Sequence, residues 1–105
     1  MKNIIVLSFL SMLPLFSFAG QELKGKTIKT VIVNLDTGIH FKINQSHAND
    51  QGCGSNSWFK LPSGSTYEKE AYSMLLAFQA QNKPITFYLN GCTGGFPSVS
   101  YIYSN

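Results

Sequence analysis

The chain has 105 residues, 44% hydrophobic and 13% aromatic but only 12% charged, and its eight lysines against five acidic residues give a formal charge of +3. That length admits one small domain, and the apolar, aromatic-rich balance excludes an intrinsically disordered chain. Two cysteines are too few for a disulfide-dense scaffold or a cysteine zinc site, and lysines scattered without a run exclude a nucleic-acid-binding arm.

The first residues read as an address. Lys2 supplies a positive start, Ile4 to Phe16 form an apolar stretch with Pro14 near its end, and Ser17-Phe18-Ala19 offers small residues at the −3 and −1 positions of a cleavage site. This is the pattern of a secretory signal peptide, and the apolar stretch is shorter than the roughly 20 residues of a membrane span. The expected division is a signal peptide over 1–19 and a single domain over 20–105, of 86 residues and formal charge +2, that is secreted or periplasmic. Export decides how Cys53 and Cys92 are read. In an oxidising compartment they are expected to form one disulfide. It closes a loop of about 40 residues, which chain entropy values at roughly 4 kcal/mol.

Along the mature chain, Thr27 to Leu35 (TIKTVIVNL) is rich in β-branched residues and predicts a strand. Asp36-Thr37-Gly38 turns into a second strand, Gly38 to Asn44, where Ile39, Phe41 and Ile43 alternate with His40, Lys42 and Asn44. Alternation of this kind predicts one buried and one wet face. A polar loop carrying Cys53 leads to a third short strand over Ser57 to Leu61, with Phe59 and Leu61 on one face and Trp58 and Lys60 on the other. Ser65 with Glu68 predicts a capping box, and Tyr67, Ala71, Met74, Leu75 and Phe78 form one apolar stripe of a helix that stops at Asn82. Ile85 to Asn90 and Val99 to Tyr103 predict the last strands, separated by the glycine-rich segment Gly91 to Pro97. The expected fold is therefore mainly β with one helix, in the order β-β-β-α-β-β. That is the order of an OB-fold-like small barrel with one disulfide. An open sheet covered by one helix is the competing architecture.

The first hairpin, the Cys53 segment, the helix STYEKEAYSMLLAFQAQ and the strand PITFYLN together resemble the binding subunits of secreted AB5-type toxins, in particular the subtilase-cytotoxin, typhoid-toxin and pertussis-like B-subunit group. The segment Asn90-Gly91-Cys92 is also similar to one found in small exported bacterial proteins. The resemblance spans Thr27 to Asn90 and implies a non-catalytic OB-fold, a ring-shaped homopentamer and glycan recognition. Group members that bind sialylated glycans carry a Tyr/Ser-containing segment before the first strand, whereas Gln21 to Lys26 here contains neither residue.

Catalysis finds little material. His47 and Asp50 share a loop, but no nucleophile, base and orienting group are spaced as a catalytic set, and Glu68 and Glu70 read as charges at a helix start. The expectation is a protein that is not an enzyme, with no cofactor and no metal site. Binding is better supplied. Trp58 and Tyr88 fall on the polar faces of their strands near Asn56, Asn90 and Thr93, which suits sugar stacking with hydrogen bonding. The same rings would serve equally for packing under a loop or in a subunit interface. The expected partner is a glycan or a protein, with no nucleic acid and no membrane span. The rival to a glycan-binding B subunit is a stand-alone protein-binding protein, such as a hydrolase inhibitor. Asn44-Gln45-Ser46 matches an N-glycosylation sequon, relevant only to a eukaryotic source.

Overall fold

The computed structural model describes residues 20–104, so the expected signal peptide over 1–19 lies outside the described residues. Within them six strands and one helix follow the order β1 (Gln21–Lys26), β2 (Ile28–Asn34), β3 (Gly38–Ile43), β4 (Phe59–Lys60), α1 (Glu68–Gln81), β5 (Ile85–Thr93) and β6 (Phe96–Ser104). The fold is mainly β with one helix and one disulfide, Cys53–Cys92.

The strands form one sheet in the order β1-β5-β6-β4-β3-β2. All pairs are antiparallel except β4 with β6, which run parallel. The OB-like expectation survives in this strand order and in the helix between β4 and β5. A small closed barrel does not: β1 and β2 are the two edges of the sheet and do not pair with each other. The chain itself bridges them, because only Thr27 separates β1 from β2. Two local irregularities mark the sheet. Gly25 takes a positive φ of 66° and the β1–β5 register shifts beside it. β4 has only two residues and meets β6 at the single pair Lys60 and Ser98.

β1 is an addition to the predicted order. Its sequence QELKGK has one apolar residue, Leu23, and that side chain is the one it buries. An edge strand needs little more to pair, so composition gave no signal. The other strands shift at their ends. The first predicted strand stops at Asn34, leaving Leu35 95% exposed, because the Asn34 side chain accepts the amides of Asp36 (2.9 Å) and Thr37 (3.2 Å) and starts the turn. The predicted glycine loop between β5 and β6 shrinks to a tight hairpin turn at Gly94-Gly95, both with positive φ (58° and 86°).

The inward faces carry the core. Ile39, Phe41 and Ile43 of β3, Phe59 and Leu61, Ile85, Phe87 and Leu89 of β5, and Val99 are all buried. Phe41, Phe59 and Phe87 form a triangle of rings with centroids 4.9 to 5.3 Å apart. The helix adds Leu75, fully buried, with Ala71, Tyr72 and Phe78 packed against the core. Tyr67, placed on the apolar stripe by its spacing, is 73% exposed, because the helix begins only at Glu68. The predicted capping box is accordingly not formed. Glu68 instead accepts the amide of Gly64 at 3.1 Å. The stop falls where expected, with Asn82 in the left-handed conformation (φ 49°) closing the last turn.

Candidate functional site

The outward side departs most from simple alternation. His40 lies on the face expected to be wet, yet is only 3% exposed, and Lys60 beside it in register is 4% exposed. Cover comes from two segments far apart in the chain, the loop before β4 and the β5–β6 hairpin. They are joined by the Cys53–Cys92 disulfide, by the Gly91 amide donating to Gln51 Oε1 at 2.7 Å, and by the Ser55 amide donating to the Gly95 carbonyl at 2.9 Å. Asn49 closes the loop on itself, its side chain exchanging two hydrogen bonds with the Cys53 backbone. The expected disulfide thus sets the loop against the hairpin.

Between these segments and the first hairpin lies a surface cleft of about 190 Å³, lined by Ile32, Asn34, Thr37, His40, Trp58 and Phe96. The Phe96 ring meets His40 edge to face at 4.9 Å, and Trp58 approaches His40 in the same way at 6.4 Å. Lys42 places its ammonium 4.4 Å from the centre of the Trp58 ring, a cation–π contact. His40 Nε2 shares a hydrogen bond with Thr37 Oγ1 at 2.9 Å. Beneath, Lys60 Nζ donates to Ser63 Oγ (2.8 Å) and to the Leu61 carbonyl (3.2 Å). Ser63 in turn donates to the Thr37 carbonyl at 3.3 Å. Burial pushes the His40 imidazole below its ordinary pKa, and the Lys60 charge adds to the effect. The cleft therefore holds a neutral imidazole near pH 7, between two aromatic walls and beside an amide and a hydroxyl.

A second aromatic group lies across β5 and β6. Tyr88 and Tyr101 are cross-strand partners and stack at 5.1 Å with planes 5° apart, and Tyr103 continues the row at 6.1 Å. Both Tyr101 and Tyr103 donate to Glu22 Oε2 of β1, at 3.3 and 3.4 Å, and Lys24 pairs with the same carboxylate group at 3.5 Å. Gly20 is needed at the start of this row, since a Cβ there would coincide with the Tyr88 phenol.

The sequence-derived candidates divide between these places. Trp58 lines the cleft, and Asn56 precedes it in the same loop, half-buried, with no hydrogen-bond partner for its Oδ1 among the described residues. Thr93 sits opposite Phe96 on the hairpin and donates to Ser98 Oγ at 2.9 Å. Tyr88 belongs to the tyrosine row and Asn90 is exposed on β5. Sequence reasoning singled out neither His40 nor the pair Tyr101 and Tyr103 as part of a shared site. The period-two alternation of Thr86, Tyr88, Tyr101 and Tyr103 was the available signal for the row. Nothing local in the sequence could show that the Cys53 loop and the β5–β6 hairpin close over His40.

Among the described residues no group of His, Cys, Asp and Glu is arranged to hold a metal ion, and no helix is long and apolar enough to cross a membrane. No known protein family matches the chain, and no curated protein does.

Proposed function

We propose that the chain is an exported, non-catalytic binding module whose ligand is a glycan, with one saccharide unit entering the cleft between Trp58 and Phe96. The observation that carries this reading is the make-up of that cleft: two aromatic walls with an amide, a hydroxyl and an imidazole among the lining groups. Sugars present apolar C–H faces and a ring of hydroxyls, and aromatic walls with a few polar groups answer both. The volume of about 190 Å³ is below the ~300–1,000 Å³ of pockets that enclose whole ligands, which suits one unit of a longer chain. Asn56 and Thr93 flank the cleft through their neighbours Trp58 and Phe96, whereas Tyr88 and Asn90 lie along β5 as a separate set of contacts for an extended glycan. Export is supported by the signal-like first residues and by a disulfide of the kind formed in oxidising compartments.

The toxin-type B-subunit reading rests on the resemblance of the hairpin, helix and fifth strand, and it adds a ring-shaped homopentamer. The mass of the protein in solution tests that addition by itself.

Trp58 is the only tryptophan, so its emission reports the cleft directly. Screening the purified protein on a glycan array, followed by titration of the best glycan, should show saturable binding with a change in Trp58 emission. Trp58→Ala should weaken that binding at least about tenfold, the loss of one good stacking contact, with an unchanged far-UV spectrum. No glycan bound across the array would overturn the function. Full affinity after both Trp58→Ala and Phe96→Ala would overturn the site.

A further inference from the structure

β6 runs nine residues, Phe96–Ser104, but its neighbour β4 meets it at one residue pair only. Beyond Ser98 it pairs on the β5 side alone, with a register shift at Ser100. On the other side its backbone N–H and C=O groups have no strand partner among the described residues. An unpaired strand edge is a template for a further strand.

Along this edge runs a groove of about 440 Å³, bounded on its far side by the first half of α1. Leu61, Val99 and Ile102 contribute apolar surface from the sheet side, and Ala71 and Met74 do so from the helix. Met74 and Tyr101 remain exposed at its border. The charge of the lining is one-sided. It includes Glu68 and Glu70 but no lysine, although the chain as a whole carries eight lysines against five acidic residues. Lys69, between the two glutamates, is exposed and outside the lining.

An apolar trough, an open backbone edge and an acidic rim together describe the complement of one kind of occupant. We propose that this groove takes an extended segment of a partner protein, rich in alternating basic and apolar residues, which adds a strand to β6 over Ser100–Ser104. Main-chain hydrogen bonds to β6 supply affinity, and alternate apolar side chains enter between Ile102 and the helix residues Ala71 and Met74. The basic side chains meet Glu68 and Glu70, which favours basic segments over acidic ones. A second copy of the chain suits the groove less well. Pairing β6 with itself across a two-fold axis would gather four glutamates into one interface.

The groove shares no lining residue with the Trp58 cleft, so the two readings fail separately. The probe is a blocked octapeptide alternating Lys and Leu, titrated into the purified protein and followed by amide hydrogen exchange. Saturable binding should slow exchange at the outward amides of Ser100–Ser104. A Glu-Leu peptide, and a Lys-Leu peptide N-methylated at alternate backbone nitrogens, should each bind at least about tenfold more weakly. The double substitution Glu68→Gln with Glu70→Gln should weaken the Lys-Leu peptide about tenfold, while Trp58→Ala leaves it unchanged. The proposal is overturned by absence of saturable binding up to millimolar peptide, by equal binding of the N-methylated peptide, or by protection at β1 or β2 instead. Protection of Ser100–Ser104 that rises with protein concentration and doubles the solution mass, without peptide, would assign the edge to a second copy and also overturn it.

Discussion

Trp58 and Phe96 line one cleft because a loop and a hairpin, distant in the chain, are clamped together, whereas Tyr88, Tyr101 and Tyr103 form a row because strand register alone places them. In the cleft the disulfide joins positions 39 residues apart, and the hydrogen bonds from Gly91 to Gln51 and from Ser55 to Gly95 reinforce it. In the row each ring is fixed by its own strand, with Glu22 as a shared acceptor at the end. One arrangement rests on a clamp between a loop and a hairpin, and the other on the register of three paired strands, whose contacts to Glu22 span 79 and 81 residues. They should therefore come apart under different insults.

The largest difference is expected on breaking the clamp. Reducing the disulfide, or replacing Cys53 and Cys92 by alanine, should lower unfolding free energy by roughly 4 kcal/mol, the chain-entropy value for a loop of this size. Urea unfolding measured on both forms gives that loss. In conditions where the reduced protein still folds, Trp58 emission should shift to longer wavelength as the loop leaves the hairpin. The tyrosine row should keep its near-ultraviolet dichroism. Simultaneous loss of both signals would mean that the row depends on the clamp after all.

The same contrast explains what could be read from the sequence. Strands β3 and β5 were legible because Ile39-Phe41-Ile43 and Ile85-Phe87-Leu89 alternate, a local record of which face is buried, and β2 was legible from its run of β-branched residues. The helix was legible from Ala71, Leu75 and Phe78 and from its stop at Asn82. β1 was not, since an edge strand with one buried residue leaves almost no pattern. The strand order and the open sheet were not either, because pairing between strands distant in the chain leaves no periodic record. At the site, Trp58 was found as an aromatic on a polar face. His40 was assigned to solvent by the same rule, and it is buried only because the Cys53 loop and the hairpin close over it.

His40 offers the next largest test, confined to the clamped region. Its folded pKa lies below the unfolded value near 6.5, through burial first and the Lys60 charge second. The unfolded chain therefore binds more protons as pH falls through that range, so stability is complete above about pH 6.5 and declines toward the lower folded pKa. The slope from this one group cannot exceed about 1.4 kcal/mol per pH unit. Unfolding by urea at stepped pH values between 8 and 5 measures it. His40→Phe keeps an aromatic ring against Phe96 and cannot titrate, so the slope over that range should shrink in the variant. An unchanged slope would place the proton-linked group elsewhere.

The smallest effect belongs to the tyrosine row and sharpens the claim that strand register holds it. The Tyr101 phenol is raised above its ordinary pKa of 10, by its packing among neighbouring side chains first and then by the adjacent Glu22 carboxylate, to which it donates. A phenolate forming there would face that carboxylate across a hydrogen bond whose donor it has lost, so ionisation is deferred to higher pH. Glu22→Gln keeps an acceptor oxygen within reach and removes the charge. The tyrosine titration followed by ultraviolet absorbance should then move one phenol downward toward 10. Because Tyr101 is 47% exposed, the accompanying change in unfolding free energy should be close to nil. Trp58 emission should not respond, since neither Glu22 nor Tyr101 lines its cleft. A response from Trp58 would join the two aromatic groups into one coupled surface, and the distinction between clamped and registered rings would then have to be abandoned.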